Sequence, residues 1–303
     1  MTTAGELRDG LGPTDDLRHR PVAGERTRDS LFWELIMPEE ELGVQIFERS
    51  GHMVRPTAKG ETILNHARKT VAAAIDLVDA ARSLRDPCAG EIRLGIISTL
   101  GPYLSTHFLS AAALRLPRAP LVLVEDLTDR LLGLLLDGKL DAALVATETD
   151  VERLDAIDLF DEPFWLVTPC DHELAKREKI AVKDIDPRSL LLLTEGHCLR
   201  DQALELCGRP GLGGEAKADM RATSLETLLH LTVAGYGVTL VPSLAVDRSR
   251  SLFDRLAARP LAGKGVSRRV RLVFRRETPR RPALSALAEA IRDGLPDCVQ
   301  AVG

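Results

Sequence analysis

The sequence predicts an α/β protein in which two lobes of alternating strand and helix follow a long amphipathic helix. Three observations carry that expectation. From Glu91 onward, short apolar runs alternate with helix-length segments, the pattern of parallel sheets covered by helices. Ahead of them Ile63, Ala67, Thr70, Ala74, Leu77, Ala81 and Leu84 recur at spacings of four and three, a heptad seam. Further on, four leucines (Leu190 to Leu193) read as a buried strand and run into residues 199–206, good helix formers without Pro or Gly. The 303 residues, 45% hydrophobic and 28% charged, leave room for two or three domains.

Taken in order, residues 1–29 are rich in Gly, Pro, Thr, Asp and Arg and read as a poorly packed arm. From Ser30, the residues Leu31, Phe32, Trp33, Leu35, Ile36 and Met37 form an apolar cluster that Pro38 interrupts. Residues 49–59 form a basic turn in which Arg49, Arg55 and Lys59 are either simply solvated or turned toward phosphates. Thr57-Ala58-Lys59-Gly60-Glu61 opens the long helix, which reaches about Leu84. Its polar opposite face, and the stop at Asp86-Pro87-Cys88-Ala89-Gly90, favour pairing with a second chain over a place in one domain's core. Asp86 to Gly90 reads as a hinge.

Beyond the hinge come strand Ile92–Ile97, a helix to about Leu116, strand Leu121–Glu125, helix Thr128–Leu136 and strand Ala142–Ala146. Such an alternation puts a ligand crevice beyond the carboxyl ends of the strands, where Thr99 and Thr128 fall. A threonine there is commonly a helix cap. Phe164 to Thr168 crosses into a second lobe, Arg269 to Phe274 returns from it, and Leu284 to Leu295 closes the chain. Lobe I is thus about 91–163 with 268–303, and lobe II about 164–267.

The chemistry points to cysteine. Cys198 falls at the amino-terminal end of the 199–206 helix, where unpaired N–H groups and the helix dipole favour a thiolate. His197, Arg200 and Asp201 flank it, and Cys207 lies nine positions on, near the other end of the helix. Two buried, inert cysteines are the plain alternative. Cys88, Cys170 and Cys298 read as structural, and residues 211–214 as a flexible Gly-rich loop. An odd cysteine count argues against a secreted disulfide framework. The absence of a signal peptide or long apolar run predicts a cytoplasmic protein with no membrane contact. Histidines without metal-ligand spacing predict no metal, and no cofactor is expected. A net charge of -5 leaves any nucleic-acid binding to a local patch.

Gly196-His197-Cys198-Leu199-Arg200-Asp201-Gln202-Ala203, with Cys207 after it, resembles the redox switch of the peroxide-sensing branch of the LysR-type transcriptional regulators. The likeness continues through Ser98 to Leu104, Asp137 to Asp141, Leu159 to Pro163, Arg221 to Leu228 and Ala234 to Gly237, over roughly residues 40–295. It implies a winged helix-turn-helix head (1–56, degenerate here), a linker and dimerisation helix (57–88) and a periplasmic-binding-protein-like effector domain (91–303). It implies hydrogen peroxide as signal and promoter DNA and RNA polymerase as partners. The chain would be an activator without catalytic turnover, assembled as a homodimer or homotetramer. By the same resemblance Cys198 and Cys207 form a reversible disulfide, and Thr99 and Thr128 hold peroxide. His197, Arg200 and Asp201 attend the thiolate, Arg269, or else its neighbour Arg268, supports it across the lobe boundary, and Arg49, Arg55 and Lys59 lie in the wing. A regulator sensing a small metabolite and a thiol peroxidase are the competing readings. The head departs from the family: Pro38 falls inside the recognition helix, and residues 1–60 hold eight Lys and Arg against eleven Asp and Glu. Either a divergent head or a displaced start or reading frame upstream of Glu39 fits, and weak DNA binding is expected.

Overall fold

Two antiparallel strands, β1 (Phe47–Ser50) and β2 (Met53–Pro56), stand at the start of the computed structural model, paired from Phe47↔Pro56 to Ser50↔Met53. The structure describes residues 39, 41–50, 53–83, 86, 88–149, 151–207, 222–248 and 254–302. Expectations for residues 1–38 and for the loop at 211–214 therefore lie outside the described residues. The chain divides into two units, residues 1–67 and 68–303. In the first, the Glu39 carboxylate accepts from the N–H groups of Ile46 (2.6 Å) and Phe47 (2.8 Å), which fixes the entry to β1. The Thr57 hydroxyl accepts from the Gly60 N–H at 2.8 Å and so caps α1 (Ala58–Ser83). Gly60 has to be glycine, because a Cβ there would stand 1.9 Å from the Ile46 carbonyl oxygen. Along the seam Ile63 is half-buried, while Ala67, Thr70, Ala74, Leu77 and Ala81 are exposed, Leu77 at 72%.

Within the second unit, the segment after α1 is clamped. The Arg280 guanidinium donates to the carbonyls of Ala89, Gly90 and Glu91, and the Gly90 N–H to Arg118 O at 2.9 Å. The end of the expected hinge is therefore fastened to the body behind it. Strands β3 (Ile92–Ile97), β4 (Leu121–Asp126) and β5 (Ala142–Val145) are parallel, with α2 (Gly101–Arg115) and α3 (Thr128–Leu136) between them. Then β6 (Leu154–Pro169) runs sixteen residues. Its first part pairs with β10 (Ser267–Arg275), while Phe164–Pro169 pairs with β8 (Thr239–Pro242) and β9 (Leu256–Ala262). The remaining elements are β7 (Ile180–Ala181), α4 (Cys198–Leu206), α5 (Leu225–Val233), α6 (Ser243–Arg248), α7 (Arg281–Asp293) and β11 (Gln300–Ala301). The sheet order is β4-β3-β5-β10-β6-β9-β7, with β8 and β11 also on β6. Lobe I is thus mixed, since β10 runs antiparallel to both β5 and β6.

Two departures from expectation have physical causes. The expected strand at Leu190–Leu193 is largely buried but joins no ladder: it makes isolated bridges, Leu190↔Val238 and Leu193↔Ala222, and its Leu191 carbonyl accepts from the Thr239 hydroxyl of β8. The first half of β6 was not expected as a strand because Asp155, Asp158, Asp161 and Glu162 make it read as polar. Its partner β10 supplies the counter-charges: Arg268 lies opposite Glu162, Arg269 opposite Asp161 and Arg271 opposite Asp158. Beneath this ladder, Phe108, Phe160, Phe274, Leu94, Ile96 and Leu144 form a fully buried core.

Candidate functional site

The crevice between the lobes is furnished by four chain turns. β3 ends at Ile97 and delivers Thr99, 3% exposed. β4 ends at Asp126, whose carboxylate accepts from the Leu127 N–H at 2.8 Å. Thr128 then opens α3 as its first helical residue rather than its cap. Its buried hydroxyl has no hydrogen bond of good geometry among the described residues, yet it stands close enough to the Cys198 sulfur to favour the thiolate. From the second lobe comes α4, with His197 as its N-cap and Cys198 as its first residue. Gly196 makes that approach possible: its φ is +91°, and a Cβ would press 2.9 Å from a Leu127 methyl.

The fourth contributor is Arg268. Its guanidinium donates from Nη1 to Thr99 Oγ1 (3.0 Å), from Nη2 to the Thr99 carbonyl (3.0 Å) and from Nε to Glu162 (2.9 Å). Both Arg268 and Glu162 side chains are wholly buried, with Nη2 2.8 Å from the carboxylate. The other Glu162 oxygen accepts from the Leu244 N–H in the first turn of α6, at 3.0 Å.

Burial is the largest influence on Cys198 and pushes its thiol up from the ordinary value; Asp201 adds to that. Against it work the Arg268 charge, the Thr128 hydroxyl and the Leu199 N–H. The resting sulfur is therefore a thiol held among groups that would stabilise it as an anion. Beside it opens a cavity of about 700 Å³, whose wall includes Cys198, Phe164, Gln202, Glu205, Lys264 and Arg268.

Three expected roles change with the geometry, those of Arg269, Arg200 and Asp201, while His197 keeps that of a neutral donor. Arg269 does not reach the thiol; it is surface-exposed and paired with Asp161 (2.8 Å) and Asp158 (3.1 Å), so the arginine at the sulfur is Arg268. Arg200 is turned to the Leu193 carbonyl (3.1 Å) and stands 4.0 Å from Glu195, so it braces the loop instead of the thiolate. His197 is buried and its imidazole is pushed toward the neutral form by that burial, leaving it no charge to lend. Asp201 opposes ionisation rather than aiding it. Cys207 sits at the far end of α4, half-buried, with its N–H donating to Ala203 O at 3.1 Å and its thiol pushed up by burial. All five cysteines are free. Arg55 and Lys59 are exposed, and the Arg49 side chain lies outside the described residues.

Two participants escaped the sequence reading, Glu162 and Gln202, and between Arg268 and Arg269 it did not decide. Gln202 is one helical turn from Cys198 and donates to Ala146 O at 2.7 Å, joining α4 to the end of β5 across the crevice. Strand parity holds the signal for Arg268. In β10, Arg268, Val270, Leu272 and Phe274 share the buried face, which Arg269 does not. Among the described residues no group of three or more His, Cys, Asp or Glu side chains could hold a metal ion, and no helix is long and apolar enough to cross a membrane.

With this geometry in place, the comparisons are specific. The sequence profile of the LysR substrate binding domain matches residues 85–296. The chain is 40% identical over 267 residues to a probable hydrogen peroxide-inducible genes activator of Mycobacterium avium, covering 88% of this chain and 85% of that one. Among solved structures, a full-length OxyR variant from Pseudomonas aeruginosa superposes with a TM-score of 0.70 at 33% identity, covering 88% of each chain. A hydrogen-peroxide-bound OxyR mutant from Corynebacterium glutamicum gives 0.65 at 34% identity, over 88% of this chain and 84% of that one.

Proposed function

This chain belongs to the LysR-type transcriptional regulators, and we propose that it is a redox sensor of the OxyR kind, a cytoplasmic activator that answers hydrogen peroxide. One observation carries the reading. The Cys198 thiol is buried at the start of α4, faced across the lobe boundary by the Thr128 hydroxyl and the Arg268–Thr99 pair, with Cys207 at the far end of the same helix.

Peroxide enters from the neighbouring cavity and is held by the Thr99 and Thr128 hydroxyls, each able to donate and accept. Cys198 gives up its proton as Arg268, Thr128 and the Leu199 N–H stabilise the anion. Its sulfur bonds to the near oxygen, the O–O bond breaks, and the distal oxygen leaves as hydroxide, which takes up the released proton to become water. Neutral His197 can donate one N–H to that leaving oxygen. Cys198 is now a sulfenic acid, oxidised by two electrons. Cys207 attacks its sulfur, an S–S bond forms, and the hydroxyl leaves with the Cys207 proton as a second water. A dithiol reductant reverses the disulfide and resets the sensor. A second copy covers the exposed seam of α1, giving a homodimer or homotetramer, and promoter DNA is held weakly, by phosphate contacts of the exposed Arg55 and Lys59, within reach of RNA polymerase.

Mass spectrometry after one equivalent of peroxide tests this. The expected product has lost two hydrogens, carries a Cys198–Cys207 linkage, and is restored by dithiothreitol. A mass that stays unchanged overturns the reading.

A further inference from the structure

We infer that Glu162 is a positioning residue for Cys198, acting through Arg268: it fixes the guanidinium against Thr99 and withholds part of its charge from the sulfur. The inference rests on the sensing role proposed for Cys198 and adds what sets the readiness of that thiol.

The geometry leaves Glu162 little else to do. It is fully buried in β6, and a buried carboxylate persists only when paired and hydrogen-bonded. One of its oxygens takes the Nε and Nη2 edge of Arg268; the other takes the Leu244 N–H. Held from both sides, the carboxylate cannot swing away. Of the five N–H bonds of a guanidinium, three are hydrogen-bonded to Glu162 and Thr99, and Nη2 also lies 2.8 Å from the Glu162 carboxylate. Arg268 is therefore aimed by Glu162 on one edge and by Thr99 on another, and the residue it aims beside is Cys198.

The charges near the sulfur are few. Arg268 faces it from β10 and Asp201 from its own helix, while the adjacent His197 is pushed toward neutrality. Tyr103, on α2, lies within electrostatic reach of Arg268, Glu125 and Glu226; burial first, and then the two carboxylates, push its phenol far up, so it stays neutral. On the cavity wall Lys264, Glu148 and Glu205 are exposed and screened, and Arg269 and Arg271 already carry acidic partners. Glu162 is thus the anion that most directly offsets the one cation acting on Cys198. A paired guanidinium presents a smaller field than a bare one, which keeps the sensor a thiol at rest.

The test is the pH profile of Cys198 alkylation by iodoacetamide, read on the Cys198 peptide in the full chain carrying Cys207→Ser. Glu162→Gln removes the carboxylate charge while its amide oxygen can still accept from Arg268, and should lower the midpoint, by less than the about 1 to 3 pH units that an opposite charge in direct contact produces. Glu162→Asp withdraws the charge by one methylene and should shift the midpoint the same way by less. Should the Gln variant fold poorly, the Asp variant still decides. Glu162→Gln with Arg268→Gln removes both charges and should leave the midpoint at or above the parent's. A midpoint that stays put or rises in the single variants, whatever happens to stability, overturns the inference. Rates with peroxide, measured on the same proteins, separate the two readings. Shifted alkylation without any peroxide reaction refutes the sensor and leaves this inference standing. Peroxide reaction with an unshifted midpoint does the reverse.

Discussion

At the scale of single residues, the site works by opposition: burial holds Cys198 as a thiol while Arg268, Thr128 and the Leu199 N–H wait for the anion. Below its raised pKa the thiolate fraction, and with it the rate of peroxide oxidation, should climb about tenfold per pH unit. Stopped-flow traces across neutral pH check this, and a flat profile would contradict it. The same shift has a stability sign. Folded Cys198 keeps its proton to higher pH than the unfolded chain, so its contribution is intact below the ordinary thiol pKa and is lost as pH rises through the folded value. Cys198→Ser should therefore abolish the response and flatten alkaline destabilisation, whereas Cys207→Ser should leave a sulfenic acid that dimedone traps. Arg268→Met should slow oxidation about tenfold or more, since a close cation moves a pKa by at least a unit. Arg269→Met should change it by less than about twofold, an exposed pair being worth little. Equal losses in the two variants would return the role to Arg269.

At the scale of elements, α4 is where reading the sequence succeeded most closely. Helix formers without Pro or Gly, after a run of buried leucines, placed Cys198 at its first turn and Cys207 at its end. The early half of β6 was illegible for the opposite reason. Its acids make sense only beside arginines more than a hundred residues away, and no local pattern carries that pairing. The direction in which Arg200 and Arg269 point was hidden likewise, because a motif gives neighbours in sequence and the thiol's neighbours come from other strands. The helix also sets the next expectation. Nine steps at about 1.5 Å put Cys198 and Cys207 about 13 Å apart, whereas a disulfide needs Cα atoms within roughly 7 Å. Oxidation must therefore dismantle α4 and break the Gln202 bond to Ala146. Amide exchange across residues 199–207 should rise or redistribute on oxidation; an unaltered pattern with a confirmed disulfide would exclude this. Gln202→Ala, which removes one hydrogen bond worth about 1 kcal/mol, should speed disulfide closure without changing sulfenic acid formation.

For the whole molecule, family and fold agree from the sheet order to the superposed OxyR structures, and the head stands apart. Residues 1–60 carry a balance of -3, from eight Lys and Arg against eleven Asp and Glu. Since released counterions supply most non-specific affinity for DNA, a gel shift at low salt should show weak binding beside a chimera carrying an ordinary family head. Tight, sequence-specific binding by the unmodified chain would overturn that expectation.

The sixteen-residue β6 has a mechanical consequence. It belongs to both lobes at once, laced to β10 before Pro163 and to β8 and β9 after it, so it acts as a common spine. Proteins that close on a ligand like a clamshell put a pliable joint at the crossover; this chain has continuous ladder there. A message leaving Cys198 has no wide jaw motion to travel by and must pass through the small part that comes undone. Spin labels on the outer faces of α3 and α5 should hold their separation on oxidation, while a label on α4 loses its fixed distance to both.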